Sequence, residues 1–111
     1  VLQVWLERFV TRNGWIDIAR KRPVPHETHF ANSGYFYYYG FYYATDCINF
    51  LPADEHAFYY RHLARILLEK QEKDGSWCDY PIYTYHQPYG TCYVLSVLGR
   101  VRNAFLAGEA P

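Results

Sequence analysis

Few side chains in this chain are of the types that do chemistry, and their spacing narrows the options further. Asp46 stands in an apolar run, Ala44-Thr45-Asp46-Cys47, where a charged carboxylate is costly to bury unless it is paired. It is the one candidate catalytic group: a proton donor if its pKa is raised, otherwise a paired or rim carboxylate. His26-Glu27-Thr28-His29 has the composition of a short metal clamp, but it lies in a loop with Pro23 and Pro25, where i, i+3 spacing fixes no geometry. His56, His62 and His86 share no ligand spacing, so no metal site and no cofactor is expected. Cys47, Cys78 and Cys92 form no CxxC pair and no disulfide framework, and Cys47 and Cys92 are expected as small buried helix residues. The other chemical resource is aromatic. Tyr38, Phe41 and Tyr42 fall on one helical face, interrupted by Thr45, and with Tyr93 they are the candidate ligand-binding rings. Ring faces attract cations by about 0.5 to 2 kcal/mol each.

Aromatic excess dominates the composition: 13 Tyr, 7 Phe and 3 Trp make 21% of 111 residues. Rings in that number either fill thick interlayers or line a concave surface. Eleven basic residues balance eleven acidic ones, which gives no electrostatic case for nucleic acid. Arg20-Lys21-Arg22 is therefore expected as a solvated loop. No apolar run is long enough for a transmembrane helix, and the N-terminus has neither the basic nor the small-residue features of a signal peptide. The chain contains no Met and opens inside a helical pattern, so it is expected to be the C-terminal part of a longer protein.

Periodicity supplies the elements that position these groups. Leu2, Trp5, Leu6, Phe9 and Val10 make one apolar stripe, which predicts an amphipathic helix ended by Asn13-Gly14. From Trp15 to Asn32 no period is sustained, and a long loop with one helical turn near Ile16 to Ala19 is expected. A second helix starts at Ser33-Gly34 and stops before Pro52. Aromatics encircle it, so most of them are expected to pack between helices. A third helix, with Asp54 as N-cap, carries the stripe Tyr60, Leu63, Ala64, Leu67 and Leu68. A fourth, largely apolar helix opens at Pro88 and ends at Gly108.

Amphipathic helix, loop and apolar helix thus occur twice, in 1–51 and 52–111, an internal duplication within a single all-α domain. Tyr39-Gly40 matches Tyr89-Gly90, which pairs Tyr43 with Tyr93, Ala44 with Val94 and Ile48 with Leu98. The stretch Gln71-Glu72-Lys73-Asp74-Gly75-Ser76-Trp77 resembles the QxxxGxW repeat of squalene and oxidosqualene cyclases. With Tyr89 to Leu98 behind it, the pattern is similar to the prenyltransferase and squalene oxidase repeat.

That resemblance implies two α-hairpins forming a segment of an α/α toroid of outer and inner helices, with Gln71, Gly75 and Trp77 as the structural repeat motif. It also implies an apolar, isoprenoid-like small molecule as ligand, and the remaining repeats of the parent protein or a second copy as partners. The superfamily's catalytic motifs are missing: no DxDD acid motif, no zinc Asp/Cys/His set, with Gly90 where the His would stand, and no Gly-Cys-Gly-Glu-Gln thioester motif. The first copy keeps only Gly14-Trp15, and Ile66-Leu67 replaces the aromatic-aliphatic pair ahead of Gln71. Two functional classes follow: part of an isoprenoid-binding enzyme barrel, or a non-catalytic scaffold that binds a hydrophobic ligand or a protein. Apolar flanks are expected to be exposed, covered by loops or joined to another copy.

Overall fold

A computed structural model describes residues 1–21, 33–80 and 84–108, and among them every regular element is helical. Helix α1, Leu2–Thr11, follows the predicted stripe and turns Leu6 into the interior. It stops at Thr11, beside Asn13-Gly14 as expected, but the expected loop does not follow directly, because Asn13 opens a second short helix, α2, Asn13–Ala19. The reason is tertiary: the buried Asn13 side-chain oxygen accepts a 2.6 Å hydrogen bond from the Tyr37 hydroxyl. The expected single turn within Ile16 to Ala19 is thus part of a longer helix. Pro23, Pro25 and the His26 to His29 stretch lie outside the described residues.

A 3-10 turn, Ser33–Phe36, leads into α3, Tyr37–Ile48, and Pro52 separates it from α4, Ala53–Glu69. Asp54, expected as an N-cap, instead sits with Glu55 in the first turn of α4, where Pro52 holds the cap position. There both carboxylates favour the positive helix end without a capping bond. Helix α5, His86–Leu106, begins ahead of Pro88. Proline is accommodated there because the first amides of a helix have no intrahelical acceptor to lose.

Helices α3 and α5 lie side by side and run in the same direction: Tyr39 and Tyr42 meet Tyr93, and further along Asp46 meets Arg100. Each is backed by a helix of opposite direction. The end of α1 meets the start of α3 where the Phe9 ring packs edge-on against Phe41 at 5.0 Å. Helix α4 packs on α5 and α3, with Arg61 midway along α4 over Phe105 late in α5, Leu67 near its end linked through Trp77 to Thr91 early in α5, and the Tyr60 hydroxyl on Asn49. Between the layers lie Tyr37, Tyr38, Phe41 and Ile48 of α3, Leu63 and Leu67 of α4, and Val94, Val97 and Val101 of α5. Each such buried side chain contributes about 1.5 to 3 kcal/mol. The exposed ion pair Arg65–Glu69 adds at most about 1 kcal/mol, so the interlayer determines the fold.

The connection from α4 to α5 is held by specific bonds. Gly75 adopts φ +87°, a left-handed turn that favours glycine, and the Gln71 side-chain amide donates to the Gly75 carbonyl at 2.8 Å. Buried Trp77 donates its indole N–H to the Leu67 carbonyl, 2.7 Å away near the C-terminus of α4. The Trp77 amide reaches the Thr91 hydroxyl of α5 at 3.0 Å. Helix α2 is fastened to the same region by Asp17, whose carboxylate takes Arg20 and, at 2.9 Å, Lys70. Burial alone would raise the Asp17 pKa, but the hydrogen bonds from Arg20 and Lys70 outweigh it and hold the carboxyl below its usual range.

Candidate functional site

A helix repeats every 3.6 residues, so positions three and four apart share a face. On α3 and its leading turn, one stripe runs Phe36, Tyr39, Tyr42 and Tyr43, Asp46, Asn49; on α5 the facing stripe runs Tyr89, Tyr93, Ser96, Arg100, Asn103. Because the two helices are parallel neighbours, the aromatic halves of both stripes coincide. Tyr39 touches Tyr43 at 4.6 Å and Tyr93 at 5.7 Å between ring centroids, and Tyr42 touches Tyr93 at 5.4 Å. Tyr89 touches Tyr93 at 4.9 Å, and Phe36 touches Tyr39 at 5.7 Å. Most of these contacts are edge-to-face, the arrangement that ring quadrupoles favour.

This face is accessible. Tyr39 is 38% exposed and Tyr43 48%, while Tyr42, Tyr89 and Tyr93 are half-buried. A pocket of about 380 Å³ opens among Tyr42, Tyr43, Cys92, Tyr93 and Ser96. Cys92, expected to be buried, is exposed, because its position on α5 turns toward that pocket. Burial, with the neighbouring Tyr93 and Asp79, pushes Tyr89 up to about 12, and a hydrogen bond with Tyr39 raises Tyr43. The aromatic half of the face therefore offers ring surfaces and hydroxyl groups, and the charged groups of the face, Asp46 and Arg100, lie beyond the tyrosines.

The predicted ligand-binding rings divide between interior and face. Tyr42 and Tyr93 lie on the tyrosine face. Tyr38 and Phe41 are fully buried between the layers, where burial raises the Tyr38 pKa. Asp46 sits where the tyrosine face ends and forms a 2.8 Å ion pair with Arg100, whose guanidinium stacks on Tyr42 at 4.0 Å from the ring centroid. Its carboxylate is thus a paired one. Tyr39, Tyr43, Tyr89 and Arg100 belong to the face and were not singled out from sequence. The signal that finds them is the stripe through Tyr39, Tyr43 and Asp46, one position on from that through Tyr38, Phe41 and Thr45.

A second constellation was also missed. Asp79 and His86 are both buried, with His86 Nδ1 at 3.0 Å from Asp79 Oδ1. The rings of Tyr35, Tyr80, Tyr85 and Tyr89 surround the imidazole at centroid distances of 4.6 to 5.8 Å. Burial pushes the Asp79 carboxyl up to about 6, against the pull of its hydrogen bond to His86. His86 precedes Tyr89 by one helical turn, which places this pair behind the aromatic end of the face. Among the described residues no group of three His, Cys, Asp or Glu is arranged to hold a metal. No described helix is long and apolar enough to cross a membrane. Compared with family models, with characterised proteins and with solved structures, the chain has no match.

Proposed function

We propose that this chain is part of a terpene-cyclase- or prenyltransferase-like α/α toroid, and that its α3–α5 face is a wall of the cavity that binds an apolar, isoprenoid-like molecule. The observation that carries this reading is the tyrosine face: two parallel helices, each backed by an antiparallel one, present interlocked and partly exposed rings on the side away from the core. A neutral aromatic surface suits a hydrocarbon chain with double bonds, and it stabilises positive charge developing on such a chain by about 0.5 to 2 kcal/mol per ring. The chain carries no complete catalytic motif, so it contributes binding surface, and acid chemistry belongs to other parts of a parent enzyme.

A second reading, a non-catalytic scaffold or a module binding a hydrophobic ligand or protein, is favoured by a different surface. Trp5 and Trp15, 60% and 66% exposed, flank an open groove of about 880 Å³ together with Phe9, Arg8 and Arg12. Calorimetric titration with farnesol, an uncharged isoprenoid alcohol, kept below its aqueous solubility limit, separates the two. Under the cavity-wall reading Tyr93→Ala and Tyr39→Ala each weaken binding about fivefold, as loss of about 40 Å² of apolar contact, or about 1 kcal/mol, requires, and Trp15→Ala leaves it unchanged. Weakening by Trp15→Ala alone transfers the ligand to the groove and removes the cavity-wall reading.

A further inference from the structure

Below the tyrosines the α3–α5 face changes character. The two N–H groups of Arg100 Nη1 are shared among three acceptors, the Tyr42 carbonyl at 3.1 Å, the buried Thr45 hydroxyl at 2.7 Å and Asp46 Oδ1 at 2.8 Å. A guanidinium carries five N–H groups, and those on Nε and Nη2 have no acceptor among the described residues. Three bonds and the stack on Tyr42 fix the plane of this side chain, so a ligand meeting the unused edge does not have to order it first. Arg100 lines a pocket of about 470 Å³ together with Asp46, Asn49, Tyr60, Asn103, Ala104 and Ala107. Asn49 Oδ1 accepts the Tyr60 hydroxyl at 2.9 Å, which leaves its NH₂ group as a donor. The exposed Asn103 side chain has no hydrogen bond among the described residues and offers both a donor and an acceptor.

The charge of the pocket decides the ligand class. Arg100 is already balanced by Asp46, and α3 and α5 both end here, at Ile48 and Leu106, so two negative helix termini face the same region. An anion is disfavoured by all three. A hydroxyl group both donates and accepts, and several adjacent hydroxyls match the alternation of Arg100, Asp46, Asn49 and Asn103. We infer that the lower end of the α3–α5 face is a subsite for an uncharged, hydroxyl-rich head group, a polyol or pyranose, on a ligand whose apolar body lies along the tyrosines. This deepens the cavity-wall reading and rests on it.

The test compares octyl β-glucoside, octyl phosphate and free glucose, each below its micelle concentration, by calorimetry on the full chain and on Asn103→Leu and Tyr93→Ala. Asn103 is exposed and leucine is a good helix former, so the first variant keeps its fold, which circular dichroism verifies. The glucoside is expected to bind at least about tenfold more tightly than octyl phosphate, Asn103→Leu to abolish that preference while leaving phosphate binding unchanged, and Tyr93→Ala to weaken both. Equal affinity for the two octyl compounds, or unchanged glucoside binding by Asn103→Leu, removes the head-group subsite and leaves the tyrosine wall standing. Absence of binding by every octyl compound removes both.

Discussion

Replacing Gly90 by alanine tests how α5 is seated. In an exposed helix interior this substitution stabilises by roughly 0.5 to 1 kcal/mol, because glycine loses more backbone freedom on folding. At Gly90 the sign should reverse. A Cβ there would lie 2.7 Å from the Trp77 carbonyl oxygen, 3.0 Å from Tyr38 Cδ2 and 3.3 Å from the Trp77 carbonyl carbon. Trp77 cannot retreat cheaply, since its indole is bonded to Leu67 and its amide to Thr91, and Tyr38 is fully buried. Overpacking of this kind costs about 1 to 3 kcal/mol, and contact with pinned backbone belongs at the upper end. Less the helix-propensity gain, a net loss of about 2 kcal/mol remains, which lowers the melting temperature of a domain this size by about 10 °C. Gly99→Ala is the matched control in the same helix, where an added Cβ meets nothing within 4 Å; it should raise the melting temperature by a few degrees. Both are read by thermal denaturation followed at 222 nm. If Gly90→Ala melts at or above the parent temperature while Gly99→Ala behaves as described, the close seating of α5 on the Trp77 backbone is wrong.

Trp77→Phe keeps an aromatic ring but removes one of the two donors to the Leu67 carbonyl, leaving the Lys70 amide at 3.1 Å, and should cost about 0.5 to 1.5 kcal/mol in urea unfolding; a loss below about 0.5 kcal/mol would mean that the indole bond is dispensable. Asp79 predicts a pH signature. Its folded pKa, about 6, is raised above the unfolded value near 3.8, so its favourable contribution is complete below about pH 4 and is lost as pH rises through 6. Asp79→Asn should therefore gain on the parent chain between pH 4 and 6, by an amount on the order of 2 kcal/mol, when midpoints in urea are compared at matched pH. A stability difference that stays flat across this interval would show that the carboxyl does not titrate there.

Much of the fold could be read from periodicity, and the departures have local physical causes. The stripes of α1 and α4 have one apolar side, so their placement is legible, and Leu6, Tyr60, Leu63 and Leu67 are buried as the stripes imply, while Trp5 and Leu68 at the stripe margins are exposed. Helix α3 is aromatic all round and lacks an orienting contrast: its sequence marks a helix but leaves open which ring faces the interior. That is why Tyr38 and Phe41 were grouped with Tyr42 as ligand-facing, although only the stripe through Tyr39, Tyr43 and Asp46 reaches the surface. Asn13-Gly14 carries a strong stop signal by composition, but the outcome depends on Tyr37, 24 positions away. The pairing of Asp79 with His86 was equally hidden, since it spans a loop with no period and becomes meaningful only when α5 folds back over the Trp77 segment. Arg100 carries no signal in the sequence and gains a role only where α3 supplies Thr45 and Asp46 as its acceptors.

The most direct measurement of whether the tyrosine face is a ligand wall is a side-chain NMR titration with farnesol, using protein labelled in the tyrosine and tryptophan rings. Resonances of Tyr39, Tyr42, Tyr43 and Tyr93 should shift together along one saturation curve, while those of the interior Tyr37 and of Tyr59 on α4 stay fixed. Saturable binding that leaves the four face tyrosines unmoved, or that shifts only Trp5 and Trp15, would contradict the assignment of this face as the wall.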